Sequence, residues 1–201
     1  MFRIVRKLVL VLLGAAISAA GLLIFLSPDP LYSAQELTAL GRYSDYDDLI
    51  VALANKHGVD IALVKATVWR ESAFHSDKVG TSGERGLMQV GEAAATEWAR
   101  AGKIETFIAT DLFDARTNLD AGTWYLSRAL EKWKDKDDPV PFALAEYNAG
   151  ASRVDRWIAA TGVGPKADAH DFLNAMDFPT TRRYVDDIMA RQKFYRLRGG
   201  L

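Results

Sequence analysis

The chain has 201 residues with no Cys, and its 25 Lys and Arg nearly balance its 26 Asp and Glu. The lack of Cys excludes disulfides, Cys-ligated zinc and cysteine nucleophiles. The absence of a basic excess argues against a nucleic-acid partner, which normally needs a basic patch. Only three His are present, at no ligand-like spacing, so we expect neither a metal nor another cofactor.

The N-terminus predicts a membrane segment. Three basic residues precede an uncharged apolar run at 8–26, and about 20 such residues span a bilayer. A cleaved signal peptide is the alternative, because Ser18 and Ala20 give a weak small-x-small cleavage site. The positive-inside rule keeps the basic residues in the cytoplasm. Both interpretations therefore place the rest of the chain outside the cytoplasm.

We divide the chain into a signal anchor or transmembrane helix at 1–26, a tether at 27–43 and a helical domain at 44–201. The tether starts with Ser-Pro-Asp-Pro, which cannot continue a helix. Beyond it, apolar residues recur with the helical period and no segment alternates like a strand. The fold class predicted is therefore all-α. We expect one helix to stop at Gly58, a second to run from a cap at Asp60 to Glu71 or Ser72, and others at about 87–101, 117–134, 140–149, 151–160 and 180–196, with loops at 75–86 and 161–170.

Glu71 is the first candidate for chemistry. It follows an apolar helix face and precedes a glycine-rich loop. A carboxyl at such a junction can be desolvated, which raises its pKa, and a raised pKa suits a general acid near neutral pH. The plain alternative is a surface glutamate that pairs with Arg70 or Lys65.

Polar side chains with apolar neighbours follow further along the chain. Gln89, Tyr147, Asn148 and Tyr184 combine hydrogen-bonding groups with ring surfaces, and this mixture suits a sugar chain. Each has an ordinary structural explanation when taken alone. Met88, beside Gln89, is typical of a protein core.

Four ordered motifs make the pattern specific, and together they resemble the soluble lytic transglycosylase (SLT) catalytic domain family. They are Glu71-Ser72, Gly86-Leu87-Met88-Gln89, Ala145-Glu146-Tyr147-Asn148-Ala149-Gly150 and Thr181-Arg182-Arg183-Tyr184-Val185. The segment from Asp114 to Leu126 also looks like that family. The resemblance covers roughly 45–195 and implies a lysozyme-like domain that cuts the glycan strands of peptidoglycan.

Two departures from the family pattern concern the substrate groove. After Gln89 the chain reads Val90-Gly91-Glu92 where the family usually has a Met-Pro-Ala-Thr-like turn. Thr180 stands where the family often has a Glu. Neither departure touches Glu71.

The resemblance implies that Glu71 works alone, first as acid and then as base. Most glycosidases use two carboxylates. We considered Asp77, Glu84, Glu92 and Glu146 as the second, and none of these four matches a family nucleophile. Cleavage of the MurNAc-β-1,4-GlcNAc bond without water would then give a 1,6-anhydro-MurNAc end.

The resemblance also implies the substrate-binding roles. Ser72 and Gln89 would hydrogen-bond the substrate, and Met88 would pack on a sugar face. Tyr147 and Asn148 would line the groove opposite Glu71, and Tyr184 would close over the acid.

Two other functions stay open: a peptidoglycan hydrolase of the same fold, and a non-catalytic peptidoglycan-binding or assembly protein. The predicted partners are peptidoglycan glycan strands and the bacterial inner membrane, through residues 8–26, with an envelope-spanning assembly partner left unidentified. The predicted location is a single-pass inner-membrane protein with its catalytic domain in the periplasm, or a periplasmic protein after signal cleavage.

Overall fold

The computed structural model describes residues 2–27, 29–39 and 41–201. Two compact units divide between Tyr43 and Ser44. The first unit contains α1, Phe2–Phe25, and α2, Pro30–Thr38.

Within the first unit, α1 is the one helix of the described ranges that is long and apolar enough to cross a membrane. The qualifying stretch is Val5–Leu22, none of which is buried. The segment predicted as a tether contains a helix, α2, that the sequence analysis did not predict. Asp29 caps this helix by accepting a 2.9 Å hydrogen bond from the Tyr32 backbone N–H, and Pro30 occupies a first-turn position that Pro tolerates.

The second unit, described without gaps from 44 to 201, is built of eight α-helices and two short 3-10 turns. The helices are α3 Asp47–His57, α4 Ile61–Ser72, α5 Glu92–Ala101, α6 Ala115–Lys132, α7 Val140–Ala149, α8 Ala151–Ala160, α9 Ala169–Ala175 and α10 Pro179–Leu197. The 3-10 turns are Ala109–Phe113 and Gly164–Lys166. The all-α prediction is confirmed.

The centre of this unit is formed by α4 and α7. Seven consecutive residues of α4, from Ala62 to Val68, are buried, and so are five of α7, from Pro141 to Ala145. A helix buried on every side lies inside a domain rather than on its surface. The other helices pack around this pair: α10 contacts both, and α6 joins α7 to α3 and α5.

The start of α4 is fastened to α10 rather than capped by its own side chain. Asp60 occupies the N-cap position but makes no side-chain cap. Its carboxylate instead accepts hydrogen bonds from Gln192 at 2.6 Å and Arg196 at 3.1 Å. The prediction that Asp60 caps α4 was wrong because these α10 donors take the carboxylate.

The segment between α4 and α5 is a loop that folds back on itself. Arg85 forms isolated antiparallel bridges with both Val79 and Val90. Between Arg85 and Val90 the chain makes a tight turn at 86–89, with the Gln89 N–H donating to the Gly86 carbonyl at 3.2 Å, so α5 begins only at Glu92. The predicted helix at 87–101 therefore starts five residues too early. The predicted surface loop at 161–170 also contains a 3-10 turn and the first residues of α9.

Asn118, fully buried in α6, holds this loop in place. Its Oδ1 accepts from the Met88 N–H at 2.8 Å. Its Nδ2 donates to the carbonyls of Arg85 at 2.7 Å and Leu112 at 2.8 Å. Gly86 makes room for it, since a Cβ there would lie 2.3 Å from Nδ2 in a left-handed backbone with φ +74°.

Replacing Asn118 is expected to destabilise the second unit strongly. Asn118→Ala removes the side-chain partner of the Met88 N–H and of the Leu112 and Arg85 carbonyls, of which the Arg85 carbonyl keeps the Val90 N–H. The change should cost about 2–4 kcal/mol of unfolding free energy. Urea unfolding of the full chain, followed by tryptophan fluorescence, measures this, because all five Trp lie beyond residue 43. Asn174→Ala, at an exposed asparagine of α9, is the matched control. Equal stability of the two variants would contradict this role.

Candidate active site

Glu71 lies in the last turn of α4, where the chain reverses into the loop. Ala73 and Phe74 follow with positive φ values of 49° and 63°, and Phe74 is buried. Gln89, across the loop, also has a positive φ of 47°. Left-handed backbone in residues other than glycine is costly and tends to cluster at functional sites. Two of these three left-handed residues, Ala73 and Phe74, follow Glu71 within three positions of the chain.

Burial raises the pKa of the Glu71 carboxyl from 4.5 to about 7. The charge of Glu84 raises this pKa further, whereas a hydrogen bond from Tyr184 and the positive charges of Lys78 and Arg70 lower it. Desolvation dominates because the ionised carboxylate loses more water than the neutral acid. The carboxyl therefore exchanges a proton near neutral pH.

Tyr184, on α10, lies directly against this carboxyl. Its hydroxyl donates a 2.7 Å hydrogen bond to Oε1 of Glu71. Burial raises the pKa of the Tyr184 hydroxyl well above its usual value, and the Glu71 charge adds to the shift. Tyr184 therefore stays protonated and remains a donor. Arg70 covers its ring, with 5.4 Å from Cζ to the ring centroid.

Tyr147 connects α7 to the loop that carries Gln89. Its hydroxyl donates to the Met88 carbonyl at 2.9 Å, and the Tyr125 ring packs edge-on with centroids 5.7 Å apart. Burial, followed by the charge of Glu71, raises the pKa of the Tyr147 hydroxyl well above its usual value. Glu71 thus has a second neutral tyrosine in its surroundings.

Two hydrogen bonds fix the orientation of the Gln89 side-chain amide. Its Nε2 donates to the Lys78 carbonyl at 3.1 Å and to the Gly86 carbonyl at 3.0 Å. A cavity of about 50 Å³ lies between Gln89, Tyr125 and Tyr147. Tyr125 also lines a neighbouring cavity of about 370 Å³, so open space continues along the surface from Gln89.

The structure brings some of the predicted binding residues to this space and turns others inward. Met88 is fully buried, and Gly122 is needed beside it, since a Cβ there would lie 2.6 Å from Sδ. Ser72 is buried, and its hydroxyl donates to the Val68 carbonyl of its own helix at 3.2 Å. Asn148 is exposed, and its Oδ1 accepts from Thr181 at 2.8 Å. Sugar contacts by all three stay predictions.

Of the four considered carboxylates, Glu84 alone is near enough to act on the pKa of Glu71. Asp77 is 91% exposed and Glu92 is 69% exposed. Glu146 is directed elsewhere, since its Oε2 accepts from Lys132 and the Trp133 indole at 2.8 Å each. Among the residues that the structure describes, no group of three His, Asp or Glu could hold a metal.

Sequence reasoning missed three residues that build this site: Asn118, Tyr125 and Lys78. The first two lie in the segment that resembled the family's helix after the second motif, so their position was available but their role was not. Lys78 lies in an ordinary polar loop. Nothing in its sequence context distinguishes it from other surface lysines.

The fold and the motifs agree with known proteins. The Transglycosylase SLT domain family matches residues 48–169. The soluble lytic murein transglycosylase of Escherichia coli (strain K12) is 28% identical over 152 residues, which cover 75% of this chain and 23% of that protein. The membrane-bound lytic murein transglycosylase C of Shigella sonnei is 30% identical over 176 residues, covering 78% and 48% of the two chains.

The solved 70-kDa soluble lytic transglycosylase of Escherichia coli has the same fold, with a TM-score of 0.69 and 28% identity over 77% of this chain and 24% of the other. The expected lysozyme-like architecture is thereby confirmed. The chain spans less than half the length of each of these three relatives. Because the family match extends over more than half of the present sequence, the chain belongs to the Transglycosylase SLT domain family.

Proposed function

We propose that this protein is a peptidoglycan lytic transglycosylase in which Glu71 acts as the single acid and base. The observation that carries the proposal is the Glu71 carboxyl, whose pKa is raised to about 7 by burial beneath a tyrosine hydroxyl 2.7 Å away. The names of the relatives support the substrate class.

In the first step, neutral Glu71 gives its proton to the glycosidic oxygen between N-acetylmuramic acid and N-acetylglucosamine. The bond from C1 to this oxygen breaks, and the N-acetylglucosamine leaves with a hydroxyl. Positive charge develops at C1, where the substrate's own acetamido oxygen can stabilise it. Such substrate assistance replaces the second carboxylate of most glycosidases.

In the second step, the Glu71 carboxylate removes the proton from the C6 hydroxyl of the same N-acetylmuramic acid. The C6 oxygen then bonds to C1 as the acetamido oxygen leaves. The product is a 1,6-anhydro sugar, no water is consumed, and Glu71 is protonated again. Intramolecular attack is fast because the reacting groups are already held together.

The two tyrosines suit this cycle because they are donors throughout. The Tyr184 hydroxyl stabilises the carboxylate that exists between the steps, since a hydrogen bond to the charged form favours that form. Tyr147 fixes the Met88 carbonyl and with it the loop that presents Gln89. The sugar-facing part of the site is the open space beside Gln89, Tyr125 and Tyr147.

Membrane anchoring of the site belongs to the same proposal. The exposed apolar stretch Val5–Leu22 of α1 would hold the protein in the inner membrane of a bacterium, with the second unit in the periplasm. This placement brings the site to the compartment in which peptidoglycan lies. The lytic transglycosylase C relative is named as membrane-bound, which supports the anchor.

Removing the ionisable group of Glu71 should nearly abolish glycan cleavage. Glu71→Gln keeps the shape and hydrogen-bonding capacity of the side chain but can neither give nor take a proton. We expect a loss of kcat of at least about 10²–10⁴-fold, the usual contribution of general acid–base catalysis. Release of soluble fragments from purified peptidoglycan by the full chain in detergent measures this loss.

Glu105→Gln, at an exposed glutamate in the connection between α5 and α6, is the matched control and should retain full activity. Circular dichroism should show that both variants keep the helical fold. Full activity of Glu71→Gln would overturn the assignment of Glu71 as the acid.

The rate should depend on pH through Glu71. The first step needs the protonated acid, so kcat/KM, which reports the pKa of the free enzyme, is expected to be level below a pH of about 7 and to fall about tenfold per unit above it. Tyr147 and Tyr184 should add no further decline in this range, because their pKa values lie well above 10.0. A rate that rises steadily from pH 6 to pH 9 would show that the ionised form starts the reaction.

A further inference from the structure

Lys78 belongs to none of the four sequence motifs, but it contacts Glu71. It lies on the loop after α4, and its Nζ donates a hydrogen bond to the backbone carbonyl of Glu71. The last carbonyls of a helix lack intrahelical partners, and a cation at this end is favoured by the helix dipole. The Lys78 ammonium therefore caps the final turn of α4 at the residue that carries the acid.

The backbone carbonyl of Lys78 binds the loop that carries Gln89. The Lys78 carbonyl accepts the Gly86 N–H at 2.9 Å and the Gln89 Nε2 at 3.1 Å. Through its ammonium and its carbonyl, Lys78 thus connects the end of α4 to the Gln89 loop. Lys78 therefore fixes the positions of Glu71 and Gln89, the two residues expected to contact the substrate, relative to each other.

Four other titratable or charged groups surround the Glu71 carboxyl. Tyr184 and Tyr147 come from α10 and α7 and remain neutral, while Glu84 on the loop adds a negative charge. Arg70 is positive but is drawn to Asp187, 3.1 Å from its Nε. Among the charges that favour the carboxylate, Lys78 has a larger effect than Arg70.

We propose that Lys78 is a positioning residue for the reaction: it fixes the Glu71 end of α4 against the Gln89 loop and supplies the positive charge that stabilises the carboxylate formed between the two steps. This inference rests on the proposed function. Burial disfavours the carboxylate that has to form when Glu71 gives up its proton. The exposed ammonium offsets burial without entering the space where a sugar would bind.

Lys78→Met tests the proposal, because Met keeps most of the side-chain length and removes the charge and the donors. The kcat should fall about tenfold, less than the roughly 10²-fold that a misplacement of about 1 Å can cost, while KM changes little. The decline of kcat/KM at alkaline pH should move to higher pH, since loss of a nearby positive charge favours the protonated acid in the free enzyme. The displacement should shrink in high salt, which screens an exposed charge.

Lys78→Arg retains a cation and donors, and it should restore both the rate and the position of the alkaline decline. Lys134→Met is the matched control: this lysine is exposed and its ammonium pairs with Glu131 at 2.5 Å, so the pH profile should match that of the unchanged protein. An unmoved alkaline decline in Lys78→Met would overturn the proposal even if kcat fell, because a merely structural loss lowers the rate at every pH.

A titration that needs no activity separates this inference from the proposed function. Carbon-13 NMR of the Glu71 side-chain carboxyl, assigned with Glu71→Gln, should show a higher titration midpoint in Lys78→Met than in the unchanged chain. Equal midpoints would overturn the role of Lys78. An unchanged chain that releases no glycan fragments would refute the proposed function, and the NMR comparison would still decide on Lys78.

Discussion

The candidate site centres on a single carboxyl, which the proposed reaction requires to be neutral before cleavage and charged halfway through it. Burial at the end of α4 favours the neutral form of Glu71, and the Tyr184 hydroxyl and the Lys78 ammonium favour the charged form. Their balance places the pKa near 7, so neither state is strongly disfavoured. Helix α10, through Tyr184, and the loop after α4, through Lys78, both hold Glu71.

This arrangement weakens the fold at higher pH. The pKa of Glu71 is about 7 when folded, against 4.5 for the free side chain, so folding favours the protonated form. The contribution of Glu71 to stability is fully present below pH 4.5 and is lost as the pH rises through about 7. The left-handed Ala73, Phe74 and Gln89 add backbone strain. The buried α4 and α7, and the hydrogen bonds of Asn118, must offset these costs.

Local patterns in the sequence predicted most of the helices and the desolvation of the Glu71 carboxyl. They did not predict which residues distant in the chain come into contact. The end of α4 and the stop at Gly58 were predictable because apolar periodicity and glycine act locally. The start of α5 was missed because Arg85 pairs with Val90 across a turn, which no helical periodicity reveals. Asp60 was misjudged because its partners, Gln192 and Arg196, lie more than 130 positions away. For the same reason the inward orientation of Ser72 and the role of Lys78 required the structure.

The most direct test of a one-carboxylate reaction is mass spectrometry of the fragments that the full chain releases from purified peptidoglycan in isotopically labelled water. If Glu71 passes its proton as proposed, the new ends are 1,6-anhydro-N-acetylmuramic acid and carry no oxygen from the solvent. Reducing ends that contain the labelled oxygen would show that water attacks C1. That result would contradict the account and make Glu84 the first residue to examine as the partner of Glu71.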